Sequence, residues 1–295
     1  MKLSVLVVQD VVWPEWRRRL TEVEALGYDA VYVWDHLVHR TVADTDPVLD
    51  AFGLLSAAAV LTSELRLGTL VVSPTLRHPF LLAKQAMTLD HVSGGRLDLG
   101  IGAAGVLRDY EALGIEPWPK REQVDRFRET VELLVAVTGG ATSYEGRYYS
   151  GHGLTVAPGT TQRPLPLTIA AHGPRTLRIA AEHATTWTAI APRDCDADEA
   201  VARAAALSGN LDTAATELGR DPATIRRSVL LGSERWPVRR SVEEFVDAVG
   251  RFGEAGFDEC VLVYPDHPAE AGLGHGAAAP DIVARVAGAL LSPRV

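Results

Sequence analysis

Eight short runs of β-branched and leucine-rich residues, each followed by a segment with helical periodicity, constrain the possible folds of this chain more than any other feature. The runs cover 3–9, 30–34, 65–72, 97–101, 167–170, 186–190, 225–231 and 259–263. The intervening segments carry helix signals. The pattern at 16–26 stops at Gly27, that at 47–61 follows Asp46 as a candidate cap, and that at 79–91 opens on Pro79. Further helical patterns lie at 121–137, 174–183, 196–218, 242–255 and 280–290. Eight strands each followed by a helix, in 295 residues, predict an α/β chain folded as a (β/α)8 TIM barrel. The near-continuous apolar runs suit parallel strands covered on both faces.

The spacing breaks once, between strands four and five. There 139–166 reads as an insertion with a short hairpin at Tyr144-Glu-Gly-Arg-Tyr-Tyr149 and a Gly/Pro-rich return. Such an excursion on a barrel serves as a lid over the active face or as a dimer contact, and the sequence prefers neither. A second irregular loop, 267–275, carries His267 and His275. No linker divides the chain, so one domain over 1–295 is expected.

Asp and Glu total 38 against 29 Lys and Arg, a net charge of −9 that argues against a general affinity for nucleic acid. Any anionic ligand must meet a local basic patch or a helix N-terminus. Cys195 and Cys260 form neither a disulfide framework nor a metal cluster, which suits a reducing compartment. With no apolar run near the roughly 20 residues that span a bilayer, no membrane partner is expected and the cytoplasm is the predicted location.

Four clusters carry chemistry. Gly100-Ile-Gly102-Ala-Ala-Gly105 is a literal G-x-G-x-x-G after a strand, but Pro117 and Pro119 stand where a Rossmann unit needs its helix and second strand. It reads instead as a glycine-rich loop ending barrel strand four, open to a flat ligand or a phosphate. Trp34-Asp35-His36 ends strand two, on the rim where such barrels place their chemistry, and Asp35 beside His36 could hold its tautomer. His36 and His39 lack a third ligand, so no metal is expected. In Ala170-Ala-His172-Gly173-Pro174-Arg175 a strand end meets a proline-opened helix. This is an anion site to which Arg175, Arg178 and Arg193 could add charge, or simply a solvated helix start. The fourth, 65–79, is a core strand ending in a Ser-Pro turn, with Ser73, Arg77 and His78 placed to touch a ligand. No G-x-S-x-G elbow, Walker loop or H-E-x-x-H is present.

Four segments together resemble the bacterial-luciferase-like flavin and deazaflavin oxidoreductases. They are Ala30-Val-Tyr-Val-Trp-Asp35-His36, the stretch 65–79, Leu89-Asp-His-Val-Ser-Gly-Gly-Arg-Leu-Asp-Leu-Gly-Ile-Gly102, and the stretch 166–187. The likeness runs in register to about residue 193. It implies a ring cofactor lying against Leu70 and Val71, where the family often has a bulge with a non-proline cis bond. His36 would stand near the redox-active edge with Asp35 behind it, and Ser73 would face the cofactor. Gly102, Ala103 and Ala104 would line the ring, and the amides of His172 and Gly173 would take the phosphate. Ile190 and Arg193 would complete the pocket.

The resemblance implies coenzyme F420, with FMN the alternative, and hydride transfer to a C=C, C=N or C=O of a small organic substrate, or the reverse. His36 would then be the acid or base. Two other readings follow from it: an FMN-dependent two-component monooxygenase, and a cofactor-binding barrel without catalysis. The family's sugar-phosphate dehydrogenases carry a glutamate where this chain has Ala103, so that activity is not expected. A homodimer through helices in the first quarter is implied. Gln9, Asp10 and Trp13, at the end of strand one, are candidate substrate contacts.

Overall fold

The computed structural model describes residues 1–38, 47–103, 105–191, 195–231, 241–264 and 282–291. Eight parallel strands close a barrel, with helices packed around it. In chain order, β1 (Lys2–Leu6), β2 (Ala30–Val33), β3 (Arg66–Thr69) and β4 (Leu97–Gly102) precede the insertion hairpin, β5 (Tyr144–Glu145) and β6 (Ser150–Gly151). The barrel resumes with β7 (Leu167–Ala170), β8 (Thr186–Ile190), β9 (Arg226–Leu231) and β10 (Glu259–Val263). Their spatial order is β1-β10-β9-β8-β7-β4-β3-β2, so the barrel closes across β1 and β2.

The helices are α1 (Trp13–Ala25), α2 (Ala51–Leu61), α3 (Pro79–Val92), α4 (Leu107–Leu113), α5 (Lys120–Thr138), α6 (Pro174–His183), α7 (Ala197–Glu217), α8 (Val242–Glu254) and α9 (Ile282–Leu290). The short α4, closed by Gly114 at φ 66°, was not apparent in the sequence because seven residues cannot establish a period. Asp46, the candidate cap of α2, lies outside the described residues. The helix is capped by Asp50, whose Oδ1 accepts from the Gly53 N–H at 2.7 Å.

Strand pairing shows which side chains face inward. Gly102, Ala170, Thr188, Ser228 and Glu259 are successive partners across β4, β7, β8, β9 and β10, and parallel partners share a face. Alternate residues such as Val31, Leu67, Leu99, Ile169, Trp187 and Val229 point outward and pack under the helices as the main core. A smaller apolar cluster, Leu6, Ala30, Tyr32 and Val261, fills one side of the barrel interior. The opposite side carries glycine, alanine and hydroxyl residues.

The insertion is a strap. Its hairpin rises along α5, where Glu129 accepts the N–H groups of Arg147, Tyr148 and Tyr149. Tyr149 meets His78 ring-edge to ring-face at the head of α3, and the chain then descends beside α3. At the foot of α3 the buried Asp90 accepts the N–H groups of Thr161 and Gln162 at 2.6 and 2.9 Å.

Candidate active site

The carboxyl ends of the strands form one rim, and loops of very different length bring their polar residues together there. Oδ2 of Asp109, at the start of α4, lies 2.7 Å from Nδ1 of His36. Oδ1 of the same carboxylate accepts the Leu37 N–H at 2.9 Å. A carboxylate only accepts, so Nδ1 carries the ring proton and Nε2 is the free acceptor of the neutral ring. Asp109 is fully buried and the His36 side chain is 15% exposed, so the imidazole is anchored from behind while one edge stays accessible. Trp34 packs edge-on to it, with ring centroids 5.4 Å apart.

Asp35 does not hold His36, contrary to expectation. Its two oxygens take a bidentate pair of hydrogen bonds from Arg77, both at 2.8 Å, and Arg77 also reaches Asp50 at 2.5 Å. The guanidinium lies over the Phe52 ring, 4.6 Å from its centroid. Arg77 therefore fastens the ends of β2 and β3 to the head of α2, and is committed to structure. Neighbouring residues on an extended chain point to opposite sides, which sends Asp35 and His36 to different partners.

The floor is made by β3 and β4. The Leu70–Val71 peptide is cis, as the resemblance implied. Val72 donates its N–H to Gly100 O and accepts from the Gly102 N–H, both at 2.9 Å. A Cβ on Gly100 would come within 1.9 Å of the Thr69 carbonyl oxygen, and one on Gly102 within 2.7 Å of Val71 Cγ2. The glycines thus permit a close approach of β3 and β4, with the Val71 side chain lying against both positions. Ala103 follows Gly102, partly exposed. Ala104 lies outside the described residues, as do His39, Arg193, His267 and His275. Ser73 is buried and its Oγ accepts the Thr75 N–H at 3.3 Å, so it serves the turn after β3.

On the far side, His172 and Ile190 meet: the Ile190 N–H lies 3.3 Å from His172 Nε2. Burial holds the His172 pKa below the usual histidine value, consistent with a neutral ring accepting at Nε2. The Gly173 N–H is already donated to Thr176 Oγ1 at 3.2 Å, so it is not free for a phosphate as expected. Helix geometry leaves the Arg175 and Thr176 N–H groups without intrahelical acceptors. Arg175 pairs with Asp125 and Arg178 with Glu217, so neither guanidinium is held at the anion position.

The residues proposed after strand one also have structural employment. Gln9 donates to Trp34 O at 2.7 Å and accepts the Trp34 N–H at 3.1 Å, which locks the ends of β1 and β2 together. Asp10 is buried, with Oδ1 3.7 Å from the buried Arg19, and Trp13 stacks on Trp16. Sequence reasoning missed Asp109. The seven-residue helix that carries it shows no period in the sequence, so nothing placed this carboxylate at the rim.

A sequence profile described as luciferase-like monooxygenase matches residues 2–232. The chain belongs to the luciferase-like monooxygenase family. Within that family it is 38% identical over 161 residues to an F420-dependent glucose-6-phosphate dehydrogenase of Beutenbergia cavernae, covering 53% of this chain and 46% of the dehydrogenase. It is 32% identical over 185 residues to a 5,10-methylenetetrahydromethanopterin reductase of Archaeoglobus fulgidus, covering 62% and 51% respectively. These matches span about half the length of the curated relatives. The fold agrees with that of an F420-dependent secondary alcohol dehydrogenase in complex with an F420-acetone adduct, at TM-score 0.76, 17% identity and coverage of 89% of this chain and 92% of that one.

Proposed function

We propose that this luciferase-like protein is a coenzyme F420-dependent oxidoreductase that transfers a hydride between the deazaflavin and a small organic substrate. The observation that carries this reading is the His36 imidazole, fixed by the buried Asp109 beside the glycine-lined floor of β3 and β4. The residues present fit a flat ring. Gly100 and Gly102 let β3 close tightly on β4, and Leu70 and Val71 would offer the ring an apolar surface there. His172, Ile190 and the first-turn N–H groups of α6 would receive the phosphate end, and Ala103 would border the ring.

When bound, the deazaflavin supplies or accepts the hydride. The chain supplies the rest. His36, with Nδ1 committed to Asp109, presents Nε2 as acid for reduction of a C=C, C=N or C=O, or as base for the reverse oxidation. The Asp35–Arg77–Asp50 bridge would hold the β2 loop so that the imidazole keeps its orientation.

The test is equilibrium binding of F420 and FMN to the purified protein side by side, followed by turnover of wild type and His36→Ala. Micromolar F420 binding, with turnover lost but binding kept in His36→Ala, supports the reading, whereas undiminished turnover in that variant would falsify it. The family's monooxygenases support the alternative of FMN with oxygen chemistry, signalled by FMN preference and oxygen consumption. Binding without turnover of any substrate would leave a cofactor-binding barrel.

The protein acts as a homodimer in this reading. Helix α2 carries no charged residue, yet Gly53, Ser56 and Val60 on its outer face are exposed, as are Leu81 and Val92 on the adjoining α3. Sedimentation at only 31.7 kDa would refute the dimer. Among the described residues no helix is long and apolar enough to cross a membrane, and both cysteines are free. In this reading the protein works in the cytoplasm on a small molecule, with the chain 1–295 acting as one domain.

A further inference from the structure

Most of the polar side chains turned into the barrel have partners from the chain itself. Glu259 accepts from Ser4 Oγ at 2.6 Å and from the Tyr32 hydroxyl at 3.1 Å. Arg66 makes two hydrogen bonds to Asp98, at 2.7 and 2.6 Å, and Arg226 donates to Thr186 Oγ1 at 3.2 Å. These groups lie toward the amino ends of the strands, around a cavity of about 330 Å3 that Thr186 also lines. Thr188 is different. Its side chain is 2% exposed, and its hydroxyl has no hydrogen-bond partner among the described residues. A buried hydroxyl left unpaired is costly, and in native proteins such a group calls for a partner.

The position of Thr188 indicates what that partner is. It lies two residues below Ile190 on the same inward face of β8, and Ile190, 44% exposed, marks the open mouth of the barrel. Its neighbours in the pairing row are Ala170 and Ser228, and the row continues to Gly102. Those residues are too small to fill the interior on this side, while Leu6, Tyr32 and Val261 fill the other. The hydroxyl therefore lies buried two residues below the mouth, on the side of the barrel interior lined by small residues.

We propose that Thr188 is a cofactor-recognition residue whose hydroxyl hydrogen-bonds a polar atom of the dione ring shared by deazaflavins and flavins. The inference rests on the functional reading above, and specifies the part of the ligand that the β8 wall reads. It also accounts for a hydroxyl in a row of small side chains where valine would pack as well.

The experiment compares Thr188→Val, which keeps the shape and removes the hydroxyl, with Thr188→Ser, which keeps the hydroxyl. Dissociation constants for F420 and FMN are read by tryptophan quenching, and the visible absorption band of the bound ligand is recorded. Thr188→Val is expected to weaken binding about tenfold and to displace the band relative to wild type, as loss of one hydrogen bond requires. Thr188→Ser is expected to bind within about threefold of wild type, on the same hydrogen-bond argument. Without ligand, Thr188→Val should unfold at a temperature no lower than wild type, because the hydroxyl makes no bond within the chain. Wild-type affinity in Thr188→Val overturns the proposal while leaving the functional reading intact. Equal weakening in both variants also overturns it, since packing would then be the cause. Binding of neither F420 nor FMN by the wild type overturns both.

Discussion

Nδ1 of His36 and Oδ2 of Asp109 stand 2.7 Å apart across 73 residues of chain, joining the end of β2 to the first turn of α4. Because the same carboxylate also takes the Leu37 N–H, it fixes both the ring and the backbone that carries it. Asp109→Asn can present an amide N–H toward Nδ1 and reverse the tautomer, which would place the proton on Nε2. Turnover should fall by about 100-fold, within the range general acid–base catalysis contributes, with cofactor affinity changed little. Steady-state kinetics with a separate binding titration checks this, and an equal loss in affinity and turnover would point to collapse of the site instead.

Removal of the Arg77 side chain leaves Asp35, 4% exposed, as a buried carboxylate without its cation. Arg77→Ala should cost about 3–5 kcal/mol of stability, the usual penalty for stranding one member of a buried pair. Arg77→Lys should recover part of it, since a lysine cannot reproduce the bidentate geometry. Urea unfolding midpoints of the two variants decide the matter, and equal stability of wild type and Arg77→Ala would refute it.

The two floor glycines should differ in their tolerance of a methyl group. In Gly100→Ala the new Cβ meets a backbone carbonyl, which cannot yield, so a loss of more than about 3 kcal/mol is expected. Gly102→Ala meets the Val71 side chain and should fold, with weakened cofactor binding. Thermal unfolding and titration of both variants test the contrast. A Gly100→Ala protein as stable as wild type would mean that β3 and β4 are not so closely apposed.

His183 gives stability a pH dependence. It lines a cavity of about 660 Å3 at the foot of the barrel, and its buried Nε2 has no hydrogen-bond partner among the described residues. Burial holds its pKa below the usual histidine value; Glu182 and Glu132 oppose that shift, while Arg128 and Arg220 add to it. Below about pH 6.5 the unfolded chain takes up a proton that the folded chain resists, so stability falls as the pH drops. The loss in melting temperature between pH 7.5 and 5.5 should be smaller in His183→Gln than in wild type. Identical slopes would remove His183 from the account.

Glu129 anchors the insertion by accepting three successive backbone N–H groups at the tip of its hairpin. Glu129→Ala strands those donors, at a cost of about 2 kcal/mol. Trypsin should then cut after Arg147 faster than in wild type. Unchanged cleavage would show that packing of Tyr149 against His78 suffices to hold the strap.

The legible and the illegible parts of this protein divide by the range of the interactions involved. The strand from 167 to 170 and the helix from 174 to 183 appear where their periodicity placed them, and the cis Leu70–Val71 bond lies where the family resemblance put it. The error over Asp35 has a simple origin. Adjacency in sequence suggested a pair with His36, but consecutive residues of an extended segment diverge, and Arg77 lay in another loop. Ser73, Gln9 and Gly173 were placed at the right rim, yet their polar groups serve local turns and strand ends.

The amino-acid sequence by itself determined the alternation of strand and helix and the count of eight barrel strands. Periods of 2 and 3.6 are properties of short segments, and burial on both faces of a parallel strand leaves its mark in composition. Only the tertiary structure decided that Asp109 holds His36, that Arg77 bridges Asp35 and Asp50, and that the Thr188 hydroxyl is left without a partner in the chain. Those pairings depend on how far each loop reaches across the rim once the barrel has closed, and loop geometry has no period to read.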